Sequence, residues 1–309
     1  MEILILGGTK FFGKAFALAA AKDGHKVSVY SRACPVKDLP KSIKQIKGQR
    51  SDLSKLAKKR WDFVLDNICY TAKDMKEAIK TFSGKTKHYV FLSSGDVHLA
   101  VEGAVSPFGE EIAHKLPRKR GKVDPYGKGK YEAEVALRKS PLPYSIVRFP
   151  IVIGKGDPKA RLEVYIKDIV YNKPIILPDG GKYKRRFIFI EDTTAALKAV
   201  MQNREKCVGK VVHFGDKAIT LKSFIKACFK YCNKKINTVD ISAEILKRAN
   251  YDFAKENPYF NPFDYVLGIK NAKLLAWRHN PSEKWLKNIV SFYAKEARAE
   301  ARKEASKKA

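Results

Sequence analysis

The chain opens with four apolar residues that run straight into glycine: Ile3-Leu-Ile-Leu-Gly7-Gly8-Thr9-Lys10-Phe11-Phe12-Gly13. A short apolar run ended by glycines and followed by helix-forming residues reads as buried strand, tight turn and helix start. Such a turn points backbone N–H groups and a helix N-terminus at one spot, which suits a pyrophosphate. The three-glycine spacing of a dinucleotide loop is kept at Gly7 and Gly13, while Lys10 stands at the middle position. A strand that leads into a helix in this way also needs a parallel neighbour reached by a crossover, which narrows the fold to α/β.

The alternation continues. Strands are expected at Ile3–Leu6, Val27–Tyr30, Ile43–Ile46, Phe63–Asp66, Tyr89–Ser93 and Tyr144–Phe149, and helices at Phe12–Ala21, Met75–Phe82 and Tyr131–Arg138. Near-continuous apolar strands are those covered on both faces. The predicted fold class is a doubly wound parallel sheet (Rossmann) with a smaller C-terminal substrate lobe. Residues 1–150 form the expected dinucleotide-binding domain, with 188–214 returning to it through a helix at Thr193–Gln202 and a strand at Val211–Phe214. Residues 151–187 and 215–295 form the expected substrate lobe, and 296–309 a basic helical tail.

A chain of 309 residues with 45% apolar content can bury a sizeable core. No stretch approaches the length needed to cross a bilayer, and the N-terminal apolar run ends in glycines rather than in a cleavage site, so a soluble cytoplasmic protein with no membrane partner is expected. The five cysteines (Cys34, Cys69, Cys207, Cys228, Cys232) match no zinc spacing and the six histidines are scattered, so no metal is expected. The formal charge is +30, from 62 Lys and Arg against 32 Asp and Glu. Such a charge concentrates anions: nucleotides, phosphorylated metabolites, nucleic acid. A lysine-rich proteome would produce it equally.

Tyr126-Gly-Lys-Gly-Lys130 places a phenol and an ammonium at i and i+4 of a helix, where side chains meet. A neighbouring cation favours the ionised phenol, so the pair can move a proton near neutral pH. After the second strand come Ser31 and Arg32, where an acidic residue would bind the ribose hydroxyls of NAD. A hydroxyl and a guanidinium there, with Lys10 in reach, favour the 2′-phosphate of NADP over NAD.

The Gly7-Gly8-Thr9-x-Phe11-Phe12-Gly13 opening, Phe91-Leu-Ser93-Ser94, Tyr126-x-x-x-Lys130, Arg148-Phe-Pro150 with Gly154, and Arg185-Arg186-Phe187-Ile-Phe-Ile-Glu-Asp192 resemble the extended short-chain dehydrogenase/reductases, the NAD-dependent epimerase/dehydratase family. The likeness covers about residues 1–200 and is greatest to atypical members related to chloroplast stem-loop-binding proteins. It implies a catalytic set of Ser94, Tyr126 and Lys130: Ser94 orients the substrate oxygen, Tyr126 is the acid/base, and Lys130 binds the nicotinamide ribose and lowers the tyrosine pKa. It also implies cofactor contacts from Gly7, Thr9, Lys10, Phe11, Phe12, Gly13, Ser31, Arg32, Asp52, Leu53, Tyr126, Lys130 and Pro150. Asp52 would meet the adenine. Substrate contacts would come from Ser94, Arg161 and Arg185, with Arg185 facing a diphosphate; Asp192 would be structural. Family dimers pair two helices, here Met75–Phe82 and Tyr131–Arg138, so a homodimer is expected.

Several positions depart from the family pattern. Gly95 and Asp96 stand where dehydratases carry Asp-Glu, which argues against dehydration. His98 replaces a tyrosine. Asp66-Asn67 replaces a small or apolar pair facing the cofactor, and an anionic Asp66 near a pyrophosphate needs a partner. Two basic clusters, Lys115/Arg118/Lys119/Arg120/Lys122 and Lys182/Lys184/Arg185/Arg186, fit either an anionic ligand or two solvated loops. The leading expectation is an NAD(P)-dependent epimerase or reductase of a nucleotide sugar or similar phosphorylated metabolite. An RNA-binding protein on the same fold is the alternative, and a cofactor-sensing regulator a third.

Overall fold

The glycine turn follows an interior strand of a seven-stranded parallel sheet. In the computed structural model, which describes residues 1–112 and 124–306, strands β1 (Glu2–Leu6), β2 (Lys26–Ser31), β3 (Lys44–Lys47), β4 (Phe63–Asp66), β5 (Tyr89–Leu92) and β6 (Tyr144–Arg148) are joined by Val211–His213. Their spatial order is Val211–His213, β6, β5, β4, β1, β2, β3. The order reverses at β1, which pairs β2 on one side and β4 on the other, with Leu6 level with both Tyr30 and Asp66. Such a switch point opens a crevice at the carboxyl ends of the strands, the usual ligand position in this architecture.

Helix α1 (Phe11–Lys22) buries Gly13, Ala17 and Ala20, small residues that allow close packing, and the large ring of Phe16. Helix α2 (Ala72–Phe82) starts at a capping box, Thr71 with Asp74, and buries Met75, Ala78 and Phe82. Helix α3 (Pro125–Arg138) is capped by Asp124, whose carboxylate accepts from the Gly127 N–H at 3.0 Å, with Pro125 in the first turn. The core between sheet and helices includes Leu4, Leu6, Val64, Met75, Phe82, Phe91, Ala133, Leu137 and Ile146. Each large apolar side chain buried there stabilises the fold by roughly 1.5–3 kcal/mol.

The expected strands and helices of the sheet are present. Helix α3 begins at Pro125 behind the Asp124 cap, so Tyr126 and Lys130 lie on its first turns, as their spacing predicts, ahead of the apolar stretch from Tyr131. The α/β class with a parallel sheet and additional C-terminal elements is as predicted.

The chain divides into two compact units: Met1–Val152, Ile190–Gly215 and Leu267–His279 make the first, and Ile153–Phe189, Asp216–Val266 and Asn280–Ala309 the second. Residues 267–279, read from sequence as part of the smaller lobe, sit in the first unit because Asn271 bonds there. Its N–H donates to the Glu110 carboxylate at 3.0 Å and its Nδ2 to the Val211 carbonyl at 2.7 Å. The second unit packs helices Arg161–Val170, Leu221–Cys232 and Ser282–Ser306 together. It adds a parallel pair, Ile175–Pro178 with Thr238–Ile241, that the sequence reading missed. Residues 296–306 continue the 25-residue helix that begins at Ser282. Among the described residues no helix is long and apolar enough to cross a membrane.

Candidate active site

Gly7 follows β1 with φ +85°, the left-handed region that glycine enters without strain. A Cβ on Gly13 would lie 2.5 Å from the Gly7 carbonyl oxygen and 2.8 Å from Asn67 Nδ2, so glycine is required at both ends of the loop. Asn67 holds the turn by donating to the Gly7 carbonyl at 3.1 Å. Lys10 is the N-cap residue of α1, exposed, and the first turn of the helix contains no acidic residue. Phe11 adopts φ +48°, costly for a side chain of this size. Its ring meets Phe12 at 5.1 Å, and Phe12 meets Phe149, just before Pro150, edge-on at 6.2 Å. Thr9 and Ser31 hydroxyls lie 3.4 Å apart. Arg32, next along, is exposed.

The carboxylate at the end of β4 is neutralised. Asp66 is fully buried, and Arg50 Nη2 reaches it at 2.8 Å, the Tyr89 hydroxyl at 2.5 Å and the Ile68 N–H at 3.2 Å. The partner that Asp66 needs is therefore Arg50, a residue the sequence reading passed over. Asp52 is exposed, and its carboxylate accepts the Ser54 N–H at 3.1 Å and hydroxyl at 2.6 Å, which holds its pKa below the usual range. The Leu53 side chain is 1% exposed and belongs to the core, which leaves its backbone as the part that could meet a cofactor.

Ser94, Tyr126 and Lys130 come together at the end of β5. Ser94 caps the short helical turn Gly95–Ala100, accepting from the Asp96 N–H at 3.2 Å. Tyr126, 41% exposed, is pushed up to about 12 by desolvation, opposed by a hydrogen bond with the Ser94 hydroxyl. Asp96 and Asp124 nearby raise it further. Lys130 is 2% exposed, and burial lowers its pKa to about 8. Its Nζ donates to the Leu92 carbonyl at 2.8 Å and stands 5.8 Å from the Tyr126 ring centre. The lysine is bonded to backbone, and the raised pKa of Tyr126 keeps its phenol protonated at neutral pH. The two glycines between them are packing devices. A Cβ on Gly127 would lie 2.5 Å from the Asp96 carbonyl oxygen, and one on Gly129 would overlap that of Tyr70. They let α3 press directly on the backbone of both flanking segments.

Beneath this set lies a buried polar network. Arg148 at the end of β6 is fully buried, and Glu134, one turn after Lys130, accepts from its Nε at 2.8 Å and from its Nη2. The Ser93 hydroxyl donates to the same Glu134 at 2.6 Å. Arg148 Nη1 also donates to the Glu110 carbonyl at 3.0 Å and lies 3.0 Å from His213 Nε2 and 3.4 Å from His98 Nε2. His213 Nδ1 is 2.9 Å from the Gly268 carbonyl, which can only accept, so Nδ1 carries the proton and Nε2 receives Arg148. His98 stacks on Phe108 at 4.7 Å. Lys130-x-x-x-Glu134 was the available sequence signal for this network: a carboxylate one turn below a lysine on a buried helix face.

In the second unit the predicted substrate arginines have other partners. Arg161 Nε donates to Asp157 at 2.8 Å. Arg185 is fully buried, and its guanidinium donates to the carbonyls of Tyr259 (2.8 Å), Lys184 (2.7 Å), Phe263 (2.7 Å) and Asn261 (2.5 Å). This corrects the diphosphate-facing assignment: Arg185 pins the 259–263 segment, and burial lowers its pKa to about 10. Arg186 donates to the Asp216 carbonyl. Asp192 is buried in the first turn of helix Ile190–Gln202. The cluster Lys115, Arg118, Lys119, Arg120 and Lys122 lies outside the described residues.

The first unit fits a dinucleotide. The glycine turn packs so closely on Ile68, Asn67 and its own Gly7 carbonyl that no side chain fits at Gly7 or Gly13, the first turn of α1 has no acidic residue to compete with a pyrophosphate, and Asp66 is paired with Arg50. The match to the model of the NAD dependent epimerase/dehydratase family runs over residues 3–215. The chloroplast stem-loop binding protein of 41 kDa b from Arabidopsis thaliana is 26% identical over 301 residues, covering 90% of this chain and 75% of that protein. A dTDP-glucose 4,6-dehydratase from Bacillus anthracis, solved with NAD, superposes with a TM-score of 0.73 at 16% identity, covering 96% of this chain and 97% of that one. A UDP-glucuronic acid 4-epimerase from Bacillus cereus, also solved with NAD, gives 0.74 at 18% identity, over 96% and 97%. At such identities the structural likeness is one of fold. With the match over residues 3–215, the glycine turn and the Ser94-Tyr126-Lys130 set, the chain belongs to the NAD-dependent epimerase/dehydratase family.

Proposed function

We propose that the protein is an NAD(P)-dependent epimerase or oxidoreductase acting on a small anionic substrate such as a nucleotide sugar. The observation that carries this is the convergence of Ser94, Tyr126 and Lys130 at the carboxyl end of β5, in the unit that holds the glycine turn. A nicotinamide, when bound, supplies or accepts the hydride. Tyr126, protonated at neutral pH, donates to a substrate carbonyl oxygen as it becomes a hydroxyl, and takes that proton back in the reverse direction. Ser94, already bonded to Tyr126, orients the same oxygen. Lys130 steadies the phenolate with its charge, for which its Nζ must leave the Leu92 carbonyl. Gly95 supplies no side-chain acid, which favours epimerisation or simple reduction over dehydration.

NADP is the preferred cofactor on the strength of Ser31 and exposed Arg32 after β2, with Lys10 on the loop. Mass spectrometry of small molecules released from the purified protein tests the cofactor directly, and the relatives' NAD makes that the competing result. With a substrate in hand, Tyr126→Phe should lose at least about 100-fold in turnover while cofactor binding persists. Full activity in that variant would sink the mechanism.

A second reading, binding of a nucleic-acid stem-loop, is favoured by the +30 charge and by a groove in the second unit lined by Lys230, Tyr231, Lys284 and Lys287 together with Pro281 and one acid, Glu283. A salt titration decides it: phosphate contacts give an affinity that falls steeply with salt, and no binding at physiological salt rejects it.

A further inference from the structure

Tyr70 is the residue beside the candidate catalytic pair that neither the family pattern nor the mechanism above uses. Lys130 Nζ stands 4.9 Å from the Tyr70 ring centre, 4.9 Å from that of Phe91 and 5.8 Å from that of Tyr126. All three distances fall within the range of cation–π attraction. The Tyr70 and Tyr126 rings lie 6.2 Å apart, tilted by 49°.

Three separate constraints fix Tyr70 there. Its N–H donates to Asp74 at 2.9 Å, as part of the turn that starts α2. The next residue, Thr71, is the N-cap of that helix. The Tyr70 carbonyl sits where a Cβ on residue 129 would be, so Gly129 of α3 admits this backbone. A large ring left 48% exposed on a segment so firmly held is placed by the fold rather than by chance burial.

We propose that Tyr70 is a positioning residue: it completes an aromatic box with Phe91 and Tyr126 that holds the Lys130 ammonium, charged, at the end of β5. A buried lysine with one carbonyl partner is poorly compensated for its lost water, and the ring faces supply part of the missing attraction. The rings also cover the ammonium, so that Lys130 is kept for the occupant of the site. Other charged and titratable groups acting on Lys130 are Cys69, Asp66, Glu134 and Arg50; none of them changes in the variants below. The role matters for catalysis only under the function proposed above, but the box itself can be tested without any substrate.

The test is an NMR titration of the Lys130 side chain in protein carrying 13C-lysine, with the Lys130 signal identified by its absence from Lys130→Arg protein. Tyr70→Phe keeps the ring and should leave the midpoint where it is. Tyr70→Leu keeps apolar bulk but removes the ring face, and should lower the midpoint by about half a pH unit. Tyr70→Trp, with the strongest face, should not lower it and serves as the second variant if the leucine protein fails to fold. A midpoint that stays or rises in Tyr70→Leu, or falls in Tyr70→Phe or Tyr70→Trp, overturns the proposal. Failure to find any turnover in the wild type would count against the enzymatic reading and leave the titration result standing.

Discussion

Glu134 and Arg148 face each other between α3 and β6, both almost fully buried, with the carboxylate bonded to the guanidinium through Nε and Nη2. The pair ties the helix that carries Tyr126 and Lys130 to the strand that leads into Phe149 and Pro150. Removing one partner strands the other charge inside the protein. Arg148→Met should therefore cost about 3–5 kcal/mol in urea unfolding, while adding Glu134→Leu to it should restore a large part of that loss. Strictly additive costs would mean that the two charges are not coupled.

Gly129→Ala would ordinarily strengthen a helix by about 1 kcal/mol. Here the methyl group meets the Tyr70 carbonyl, backbone against backbone, so a loss of about 1–3 kcal/mol is expected instead. Gly127→Ala, against the Asp96 carbonyl, should behave alike, and Lys128→Ala on the exposed face between them should be near neutral. Thermal melting of the three proteins checks the order; a more stable Gly129→Ala would contradict the close approach.

The lowered Lys130 gives a stability effect with a definite sign. Below about pH 8 the lysine is charged in both the folded and unfolded chain, and the folded state carries the full burial penalty. Between about 8 and 10.5 the unfolded chain binds a proton that the native state has released, so this group makes stability rise with pH. Lys130→Met removes the penalty, so its advantage over wild type should be largest near pH 7 and shrink by up to about 3 kcal/mol across that window. Tyr126, raised to about 12, acts in the opposite direction above pH 10. The comparison is therefore best made by urea unfolding at pH 7.5 and 9.5. An advantage that grows with pH would show the sign to be wrong.

Arg185, with four backbone carbonyls as partners, should behave as a structural post. Arg185→Lys offers fewer donors in the wrong geometry and should destabilise the second unit by about 2–4 kcal/mol. Limited proteolysis should then cut first within residues 257–265. A variant of unaltered stability that had lost ligand affinity alone would restore the diphosphate assignment.

The sequence made the sheet legible because its strands are near-continuous apolar runs separated by glycine turns. Helical spacing put Tyr126 and Lys130 on one face, and the family resemblance added Ser94 to them as a candidate set. The sequence's failures share a cause. Arg50, Glu134, His213 and Asn271 matter through partners 16, 14, 65 and 161 residues away, separations at which no local periodicity survives. Arg185 was misplaced for the same reason, because a motif gives a residue's position along a strand but not which way the surrounding backbone has closed on its side chain. The glycines of Tyr126-Gly-Lys-Gly-Lys130 admit the Asp96 and Tyr70 backbones, contacts that spacing along a helix does not reveal.

Glu110 accepts the N–H groups of both His213 and Asn271 with one buried carboxylate. That contact sets a timetable for synthesis. The ribosome releases the whole β1–β6 sheet long before residue 271 leaves the exit tunnel, and until then water must stand in for the Asn271 amide at this carboxylate. The first unit's contacts are complete only once residues 216–266 of the second unit have been made. Any early stop between residues 216 and 270 would yield a product that contains every candidate catalytic residue and still lacks the amide that finishes its core.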